Sequence, residues 1–261
     1  MENLPDGIKN SGALEIRDRL GSISGGRVLD VGTQEGSFIG LLMKMLKDYE
    51  SIVGIDISEE DLRKAREEFK DGPVEFELMS GEKLTFDDDS FDTVCMSHTV
   101  HHLENIESVL SEMKRVLKPG GYMIIQEQFS DGDQSDAQNT ETLVHHLDAT
   151  VDTWKGIPHF ETLSRHRLND HIAQLGMGTV EVFQSSRLVQ CLVCKEPEDC
   201  EDPRSKRNVE EGFESLDSIL ENAAGHPEYD KIVAEAGRLR ERIQETGYMP
   251  ASLLFFICRN S

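Results

Sequence analysis

Apolar residues in the first half of the chain follow two spacings in turn, one typical of buried strands and one typical of amphipathic helices. Val28, Leu29 and Val31 form a short apolar run, and from Phe38 onward apolar residues recur every three or four positions. Glycines lie between the two patterns. The sequence therefore predicts a strand, a turn and a helix over residues 27–46.

The same alternation of strand and helix patterns continues to about residue 130. Four further short apolar runs predict strands, with helices between them, at residues 52–57, 74–79, 91–96 and 122–126. Ser58 and Asn105 stand at the predicted starts of two of these helices, where their side chains can cap the first turn. Strands that alternate with helices predict an α/β fold in which a mainly parallel sheet carries helices on both faces.

The second half of the chain departs from this alternation. A polar stretch and a helical pattern that ends near Trp154 follow the fifth strand, and we interpret residues 128–158 as a lid-like insertion. Further helices are expected over 159–175, 208–223 and 228–246, and apolar runs predict strands at 179–193 and 251–258. Residues 195–249 would form a helical insertion between those strands, within a single domain over 1–261.

The turn after the first strand has the pattern D-x-G-x-x-x-G, formed by Asp30, Gly32 and Gly36. Ligands of such units lie at the carboxyl end of the strand, because the N–H groups that open the helix point there and glycine lets a ligand approach the main chain. Dinucleotide-binding turns have the different spacing G-x-G-x-x-G. Asp30 would repel a pyrophosphate and would suit a ligand with positive charge, such as S-adenosylmethionine.

Four segments together resemble the class I S-adenosylmethionine-dependent methyltransferases. They are VLDVGTQEG at 28–36, VGIDIS at 53–58, FDTVCMSHTVHHLEN at 91–105 and VLKPGGYMII at 116–125. The resemblance covers about residues 10–130. It implies a doubly wound, seven-stranded, mainly parallel sheet that ends in an antiparallel hairpin, with helical insertions after strand 5 and between strands 6 and 7.

The resemblance also implies which residues bind S-adenosylmethionine, whose product would be S-adenosylhomocysteine. The methionine end would lie against Asp30, Gly32, Thr33 and Gly36, and Asp56 would hold the ribose, a role that NAD enzymes also give to an acid. Ile57 would lie beneath the adenine. The remaining expected contacts are Ser80, Gly81 and Glu82 near the adenine amine and the backbone of Ser97 near the sulfonium.

Methyl transfer to a small-molecule acceptor is the predicted reaction. It requires no particular catalytic residue, because the sulfonium is a good leaving group, although a hydroxyl acceptor would need a base near its proton. His98 and His102 follow the fourth strand and Glu127 ends the fifth, so these three are the candidates for catalysis. Each has a structural alternative, which is packing for the histidines and solvent exposure for Glu127.

Histidines and cysteines in the second half raise the question of a metal site. Adjacent histidines on a helix point about 100° apart, so neighbours such as His145 and His146 do not both chelate easily. The spacing of the other histidines does not favour chelation either, and we predict no metal. Cys191, Cys194 and Cys200 form half of a structural zinc pattern, and buried thiols are the preferred interpretation.

Composition narrows the function further. With 27 basic and 50 acidic residues the net charge is -23, which opposes binding to phosphate backbones, so no nucleic acid partner is expected. The sequence shows no membrane span or secretion signal, and we expect a cytoplasmic protein without a membrane partner. Residues 195–249 are a candidate homodimer surface. A non-catalytic regulatory or assembly protein that binds S-adenosylmethionine stays open as an alternative, ahead of an NAD-dependent oxidoreductase.

Overall fold

A computed structural model describes residues 9–186 and 202–261 of the chain. The described strands are β1 Arg27–Val31, β2 Ser51–Asp56, β3 Val74–Leu78, β4 Phe91–Ser97, β5 Leu117–Gln128, β6 Thr179–Ser185 and β7 Leu253–Arg259. The α-helices among the described residues are α1 Ala13–Leu20, α2 Ser37–Met45, α3 Glu59–Glu68, α4 Ile106–Val116, α5 Asp136–Trp154, α6 Arg165–Gln174, α7 Lys206–Asn222 and α8 Tyr229–Thr246.

The seven strands form one sheet in the order β3-β2-β1-β4-β5-β7-β6. Strands β1 to β5 pair in parallel, and β5, β7 and β6 form the antiparallel end of the sheet. This confirms the predicted fold class. The chain moves outward from β1 through β2 to β3, and then resumes on the other side of β1 at β4. A ligand crevice is therefore expected outside the carboxyl ends of β1 and β4, where the direction of winding reverses.

The local sequence explains why the first elements form. Three apolar residues of α2, namely Phe38, Ile39 and Leu42, are buried at the helical spacing that the sequence predicted. The Ser58 side chain accepts a hydrogen bond from the N–H of Asp61 at 3.3 Å, and Asn105 caps α4 in the same way. Such caps each contribute about 1 kcal/mol, so α3 and α4 begin where the sequence predicted.

Three boundaries differ from the predictions by about five residues or more. Strand β5 begins at Leu117 rather than at 122, because Gly120 and Gly121 exchange backbone hydrogen bonds with Asn260, a partner distant in sequence. Helix α6 begins at Arg165 rather than at 159, and the segment before it contacts α5 through the carbonyl of His159, which accepts from the Thr153 hydroxyl. Strand β6 ends at Ser185. Residues 187–193 of the predicted strand lie outside the described residues, as do the three cysteines Cys191, Cys194 and Cys200.

Residue contacts divide the chain into two compact units. The sheet unit comprises residues 14–127, 166–184 and 254–261, and its core is formed by the strands and by helices such as α2 and α4. The helical unit comprises the described parts of 1–13, 128–165 and 185–253. Helices α5, α7 and α8 surround an apolar cluster that includes Leu147, Leu216 and Leu239. The described parts of both predicted insertions contain helices, and the role of 128–158 as a lid stays a prediction.

Each described helix is either too short or too polar to cross a membrane.

Candidate cofactor-binding and catalytic site

The turn after β1 is tied to the neighbouring strand by its backbone. The N–H groups of Gly32 and Thr33 both donate to the carbonyl oxygen of Ile55, each at 2.9 Å. The N–H of Gly36 then donates back to the carbonyl of Thr33 at 2.8 Å, and α2 begins at the next residue. The turn is thus a rigid loop at the carboxyl edge of the sheet, with the amino terminus of a helix at its end.

The packing of the sheet unit explains why two residues of this turn are glycine. Gly32 and Gly36 have φ values of 73° and 86°, which residues with a side chain adopt only with strain. A Cβ atom on Gly32 would overlap the side chain of Thr99, and one on Gly36 would lie 2.6 Å from the ring of Phe69. The space beside both glycines is therefore filled by the protein's own side chains.

Asp30, near the end of β1, is a buried carboxylate in need of a partner. The residue is 1% exposed, and none of the described residues donates a hydrogen bond to either carboxylate oxygen. Burial, followed by the nearby charge of Asp56, raises the pKa of Asp30 to about 7, and the neighbouring hydroxyl of Thr33 opposes that rise. The Thr33 hydroxyl is itself buried, and its geometry towards the described residues falls short of a hydrogen bond. A cationic ligand at this point would stabilise the ionised carboxylate.

Asp56 lies at the end of β2 and is oriented by two backbone groups. One carboxylate oxygen accepts from the N–H of Gln34 and the other from the N–H of Ser58, each at 2.9 Å. These contacts hold the β1 turn and the start of α3 together. Each carboxylate oxygen has a second lone pair, so Asp56 can still accept hydrogen bonds from a ligand's hydroxyl groups. Ile57, the next residue, is 72% exposed and provides an apolar surface beside it.

The turn after β3 lies beside the same edge. The N–H of Met79 donates to the carbonyl of Asp56 at 2.9 Å, and a Cβ on Gly81 would lie 2.9 Å from the Val31 side chain. Within the turn the N–H of Glu82 donates to the Ser80 hydroxyl at 3.3 Å, and the Glu82 residue itself is exposed. The structure thus brings Ser80, Gly81 and Glu82 next to the ends of β1 and β2, and their contact with adenine stays a prediction.

The predicted catalytic histidines follow β4 in a tightly bonded turn. Ser97 ends the strand, and its carbonyl accepts from the Thr99 hydroxyl at 2.9 Å. His98 has a φ of 49°, a conformation uncommon for a residue with a side chain. Its Nε2 lies 2.9 Å from the Gln126 amide nitrogen, and burial lowers the pKa of His98. At pH 7 the His98 imidazole is therefore neutral.

Glu127 is 1% exposed and contacts this turn directly. One carboxylate oxygen accepts from the N–H of Val100 at 2.8 Å, and the other lies 3.0 Å from Nδ1 of His101. The ring of His102 packs against that of His101 with 4.4 Å between their centroids. Solvent exposure, the structural alternative considered for Glu127, is excluded. The carboxylate instead holds the 98–102 turn in place.

Sequence reasoning did not single out several residues that shape this site. Thr99 and Phe69 fill the space beside the two glycines, and Gln126 contacts His98. The pairing of His101 with Glu127 links residues 26 positions apart. The sequence did contain one indication of that pair. His101 follows β4 and Glu127 lies at the end of β5, and neighbouring parallel strands place their carboxyl ends side by side. The contacts of Thr99 and Phe69 depend on loop conformation, which has no comparable pattern.

Comparisons with known proteins agree with this geometry. Residues 29–125 match the family model described as a methyltransferase domain. The ubiquinone/menaquinone biosynthesis C-methyltransferase UbiE of Geobacter sulfurreducens is 36% identical over 107 residues, which is 40% of this chain and 42% of that protein. A phosphatidylethanolamine N-methyltransferase of Cereibacter sphaeroides is 37% identical over 110 residues, 41% of this chain and 52% of that protein. The chain thus spans about half the length of these curated relatives.

Two solved structures extend the likeness to most of the chain. The YcgJ protein of Bacillus subtilis has a TM-score of 0.56 and 17% identity, covering 95% of this chain and 97% of that chain. The Haemonchus contortus phosphoethanolamine N-methyltransferase 2, solved with phosphomonomethylethanolamine and S-adenosylhomocysteine, has a TM-score of 0.56 and 20% identity over 95% of this chain and 52% of its own. These identities establish the fold. The part of the chain that matches the methyltransferase domain is residues 29–125, and beyond it the likeness to solved structures is one of fold alone.

Proposed function

We propose that this protein transfers a methyl group from S-adenosylmethionine to a small-molecule acceptor. The observation that carries the proposal is the buried carboxylate of Asp30, which has no cationic partner and no hydrogen bond of good geometry among the described residues. S-adenosylmethionine has an ammonium and a sulfonium group, and a positive charge is what this carboxylate lacks. A pyrophosphate would place negative charge against Asp30, which argues against a nicotinamide cofactor.

The other residues of the edge fit the same cofactor. Asp56 is held by two backbone N–H groups and has lone pairs left for the two ribose hydroxyls. The exposed side chain of Ile57 would lie against the adenine ring, and the Ser80 to Glu82 turn would approach the adenine amine. Gly32, Thr33 and Gly36 would border the methionine end, and the backbone of Ser97 the sulfonium. S-adenosylhomocysteine, the product, would occupy the same contacts.

The cofactor, when bound, supplies an electrophilic methyl group on a positively charged leaving group. The residues of the chain then have to orient the acceptor and exclude water. An acceptor hydroxyl would also need its proton removed, and His98 and His102 are the groups proposed for that role. The Nε2 lone pair of a neutral His98 accepts from the Gln126 amide, so His98 would act as a base only after this contact opens. We propose a positioning role for Glu127, because both of its oxygens already contact the 98–102 turn.

Support for a small-molecule acceptor comes from the relatives' names. The UbiE relative is a C-methyltransferase of quinone biosynthesis, and the second relative is a phosphatidylethanolamine N-methyltransferase. The net charge of -23 argues against nucleic acid as the acceptor. A cytoplasmic location and a homodimer formed through residues 195–249 belong to the same proposal and follow from the sequence analysis.

Calorimetric titration tests the cofactor assignment. S-adenosylmethionine, S-adenosylhomocysteine and NAD are each titrated into the wild type, Asp56→Ala and Asp87→Ala. Asp87 is an exposed acid of the same unit and serves as the matched control. We expect both sulfur nucleotides to bind the wild type and Asp87→Ala, and to bind Asp56→Ala at least about tenfold more weakly, since a lost charged hydrogen bond costs about 1.5–3 kcal/mol. Absence of binding to the wild type would overturn the proposal.

Turnover is tested next, with a radiolabelled methyl donor and a panel of small acceptors that offer carbon, nitrogen, oxygen and sulfur nucleophiles. Transfer of label to one acceptor class supports the enzyme. Cofactor binding without transfer to any class would favour the non-catalytic alternative.

Glu127→Gln and His98→Gln are then compared at several pH values. A base would change the pH profile of kcat, whereas the positioning role proposed for Glu127 leaves that profile unchanged.

A further inference from the structure

Gln126, near the end of β5, holds His98 through both its main chain and its side chain. The N–H of His98 donates to the carbonyl oxygen of Gln126 at 3.0 Å, and Nε2 of His98 lies 2.9 Å from the amide nitrogen of the Gln126 side chain. Both residues belong to the sheet unit. The φ of 49° at His98 is a conformation that persists where surrounding contacts hold it. Gln126 provides two such contacts, so it fixes where the His98 ring lies.

The side-chain contact also determines which nitrogen of a neutral His98 carries the proton. An amide nitrogen donates and does not accept, so Nε2 of His98 accepts and its lone pair is occupied. The proton of the neutral ring then lies on Nδ1, which has no hydrogen-bond partner among the described residues. In this tautomer neither ring nitrogen has a lone pair free to take a proton from a methyl acceptor.

The carbonyl oxygen of the Gln126 side chain is buried without a partner. Gln126 is 2% exposed, and none of the described residues donates a hydrogen bond to its Oε1. A half-turn about the terminal bond of the side chain exchanges the two amide groups. Oε1 then accepts from Nε2–H of the other His98 tautomer, and the lone pair of the ring lies on Nδ1. Either orientation leaves one amide group unpaired, so neither is strongly favoured and the side chain can serve both tautomers.

We propose that Gln126 is a positioning residue that sets the tautomer of His98, which rests when the amide nitrogen faces the ring and is basic when the amide oxygen faces it. In the basic state Nδ1 takes the proton of an acceptor hydroxyl, and the imidazolium donates Nε2–H to Oε1 of Gln126. The electron pair of the broken O–H bond stays on the acceptor oxygen, which becomes the nucleophile. This step rests on the proposed methyl transfer, whereas the tautomer of His98 in the ligand-free protein does not.

The charged and titratable groups around His98 are the same in both orientations of the amide. Burial is the largest influence on the imidazole and lowers its pKa, while the carboxylate of Glu127 raises that pKa and His101 lowers it. Glu127 is held in turn by the N–H of Val100 and by His101. Substitution of Gln126 leaves these groups in place, so a change in the His98 tautomer reports the Gln126 side chain alone.

Nitrogen-15 NMR of the full chain, labelled at histidine and free of ligands, measures the tautomer, because ring nitrogens with and without a proton differ in chemical shift. The spectrum of His98→Gln identifies the His98 signals by their absence. At pH 8 His98 is neutral, and we expect its proton on Nδ1 in the wild type. Gln126→Glu offers an ionised carboxylate that can only accept. We therefore expect Nε2–H in that variant, and a pKa of His98 that is higher by at least about one unit.

Gln174→Glu is the matched control, since it introduces the same charge at an exposed position of the sheet unit, and its His98 signals should equal those of the wild type. Gln126→Leu has neither donor nor acceptor and should lose the preference for Nδ1–H, which keeps the test usable should the glutamate variant unfold. Far-UV circular dichroism confirms that each variant is folded. A neutral wild-type His98 with its proton on Nε2 overturns the proposal, as does an unchanged tautomer in the folded Gln126 variants. The spectra need neither cofactor nor turnover, so their outcome is separate from that of the proposed reaction.

Discussion

At the scale of single residues, Asp30 links ligand binding to pH. Its pKa in the folded, ligand-free protein is about 7, above the ordinary value of an aspartate, so the folded state binds this proton more tightly than the unfolded state. The stability that this proton contributes is fully present below about pH 4 and is lost as the pH rises through 7.

Asp30→Asn should therefore make the ligand-free protein more stable at pH 8, by on the order of 1–4 kcal/mol, and remove this part of the pH dependence. The same variant should bind S-adenosylmethionine at least about tenfold more weakly, because it loses the charge that attracts the cationic ligand. Urea unfolding at acidic and alkaline pH and calorimetry measure the two effects. Asp87→Asn, an exposed control, should change neither; a less stable Asp30→Asn protein at pH 8 would contradict the interpretation.

Gly32 offers a second prediction for a single residue. Its Cβ would overlap Thr99, whereas Gly156 has a similar φ of 80° and no atom within 4 Å of the position of a Cβ. Gly156→Ala should thus lower the free energy of unfolding only by the backbone strain, which is about 1–2 kcal/mol. Gly32→Ala should cost at least about 1–3 kcal/mol more, since Thr99 has to move, and should also weaken cofactor binding. Equal losses of unfolding free energy in the two variants would show that Thr99 adjusts without cost.

At the scale of elements, helix α5 begins with a capping box that also joins distant segments. Ser135 and Gln138 exchange hydrogen bonds between side chain and backbone at 3.3 and 3.0 Å. The Gln138 amide nitrogen also lies within hydrogen-bonding distance of Ser186, Pro250 and Ser252. The cap therefore contributes to tertiary structure as well as to the helix.

Gln138→Ala should accordingly be more destabilising than Ser135→Ala. We expect the serine variant to lose about 0.5–2 kcal/mol of unfolding free energy, and the glutamine variant to lose more because buried acceptors become unpaired. Ser205→Ala removes the side-chain cap of α7, where Ser205 accepts from the N–H of Asn208, and is the control for a cap alone. Urea unfolding ranks the three variants by their loss of unfolding free energy. Equal losses would mean that the long-range contacts of Gln138 are weak.

Elements were more predictable than contacts because the two depend on different information. Apolar spacing and caps such as Ser58 and Asn105 lie within a few residues of one another, so they revealed the strands and helices up to β5. The early start of β5 depends on Asn260, and the burial of Glu127 depends on Val100 and His101. In the site, the motif predicted that Asp30 and Asp56 end adjacent strands. It did not predict that Thr99 would fill the space beside Gly32.

At the scale of the whole molecule, net charge is the dominant property. A charge of -23 makes the compact state repel itself, since the unfolded chain holds the same charges farther apart. Unfolding free energy should therefore rise with salt, because at about 1 M ionic strength the screening length falls to about 3 Å. Urea midpoints in low and high KCl measure the effect. NaCl and choline chloride should act alike if screening is the cause, and a midpoint that falls with all three salts would contradict it.

The sheet order has a consequence for how the protein is made. Strand β7 is synthesised after every other described strand, yet it lies between β5 and β6 in the sheet. On the ribosome, β1 to β5 can pair as soon as they emerge, but the outer edge of β5 has no native partner until residues 253–259 have been translated. Exposed strand edges can pair with other chains, so during synthesis the free edge of β5 is a site at which the nascent protein can associate with another chain.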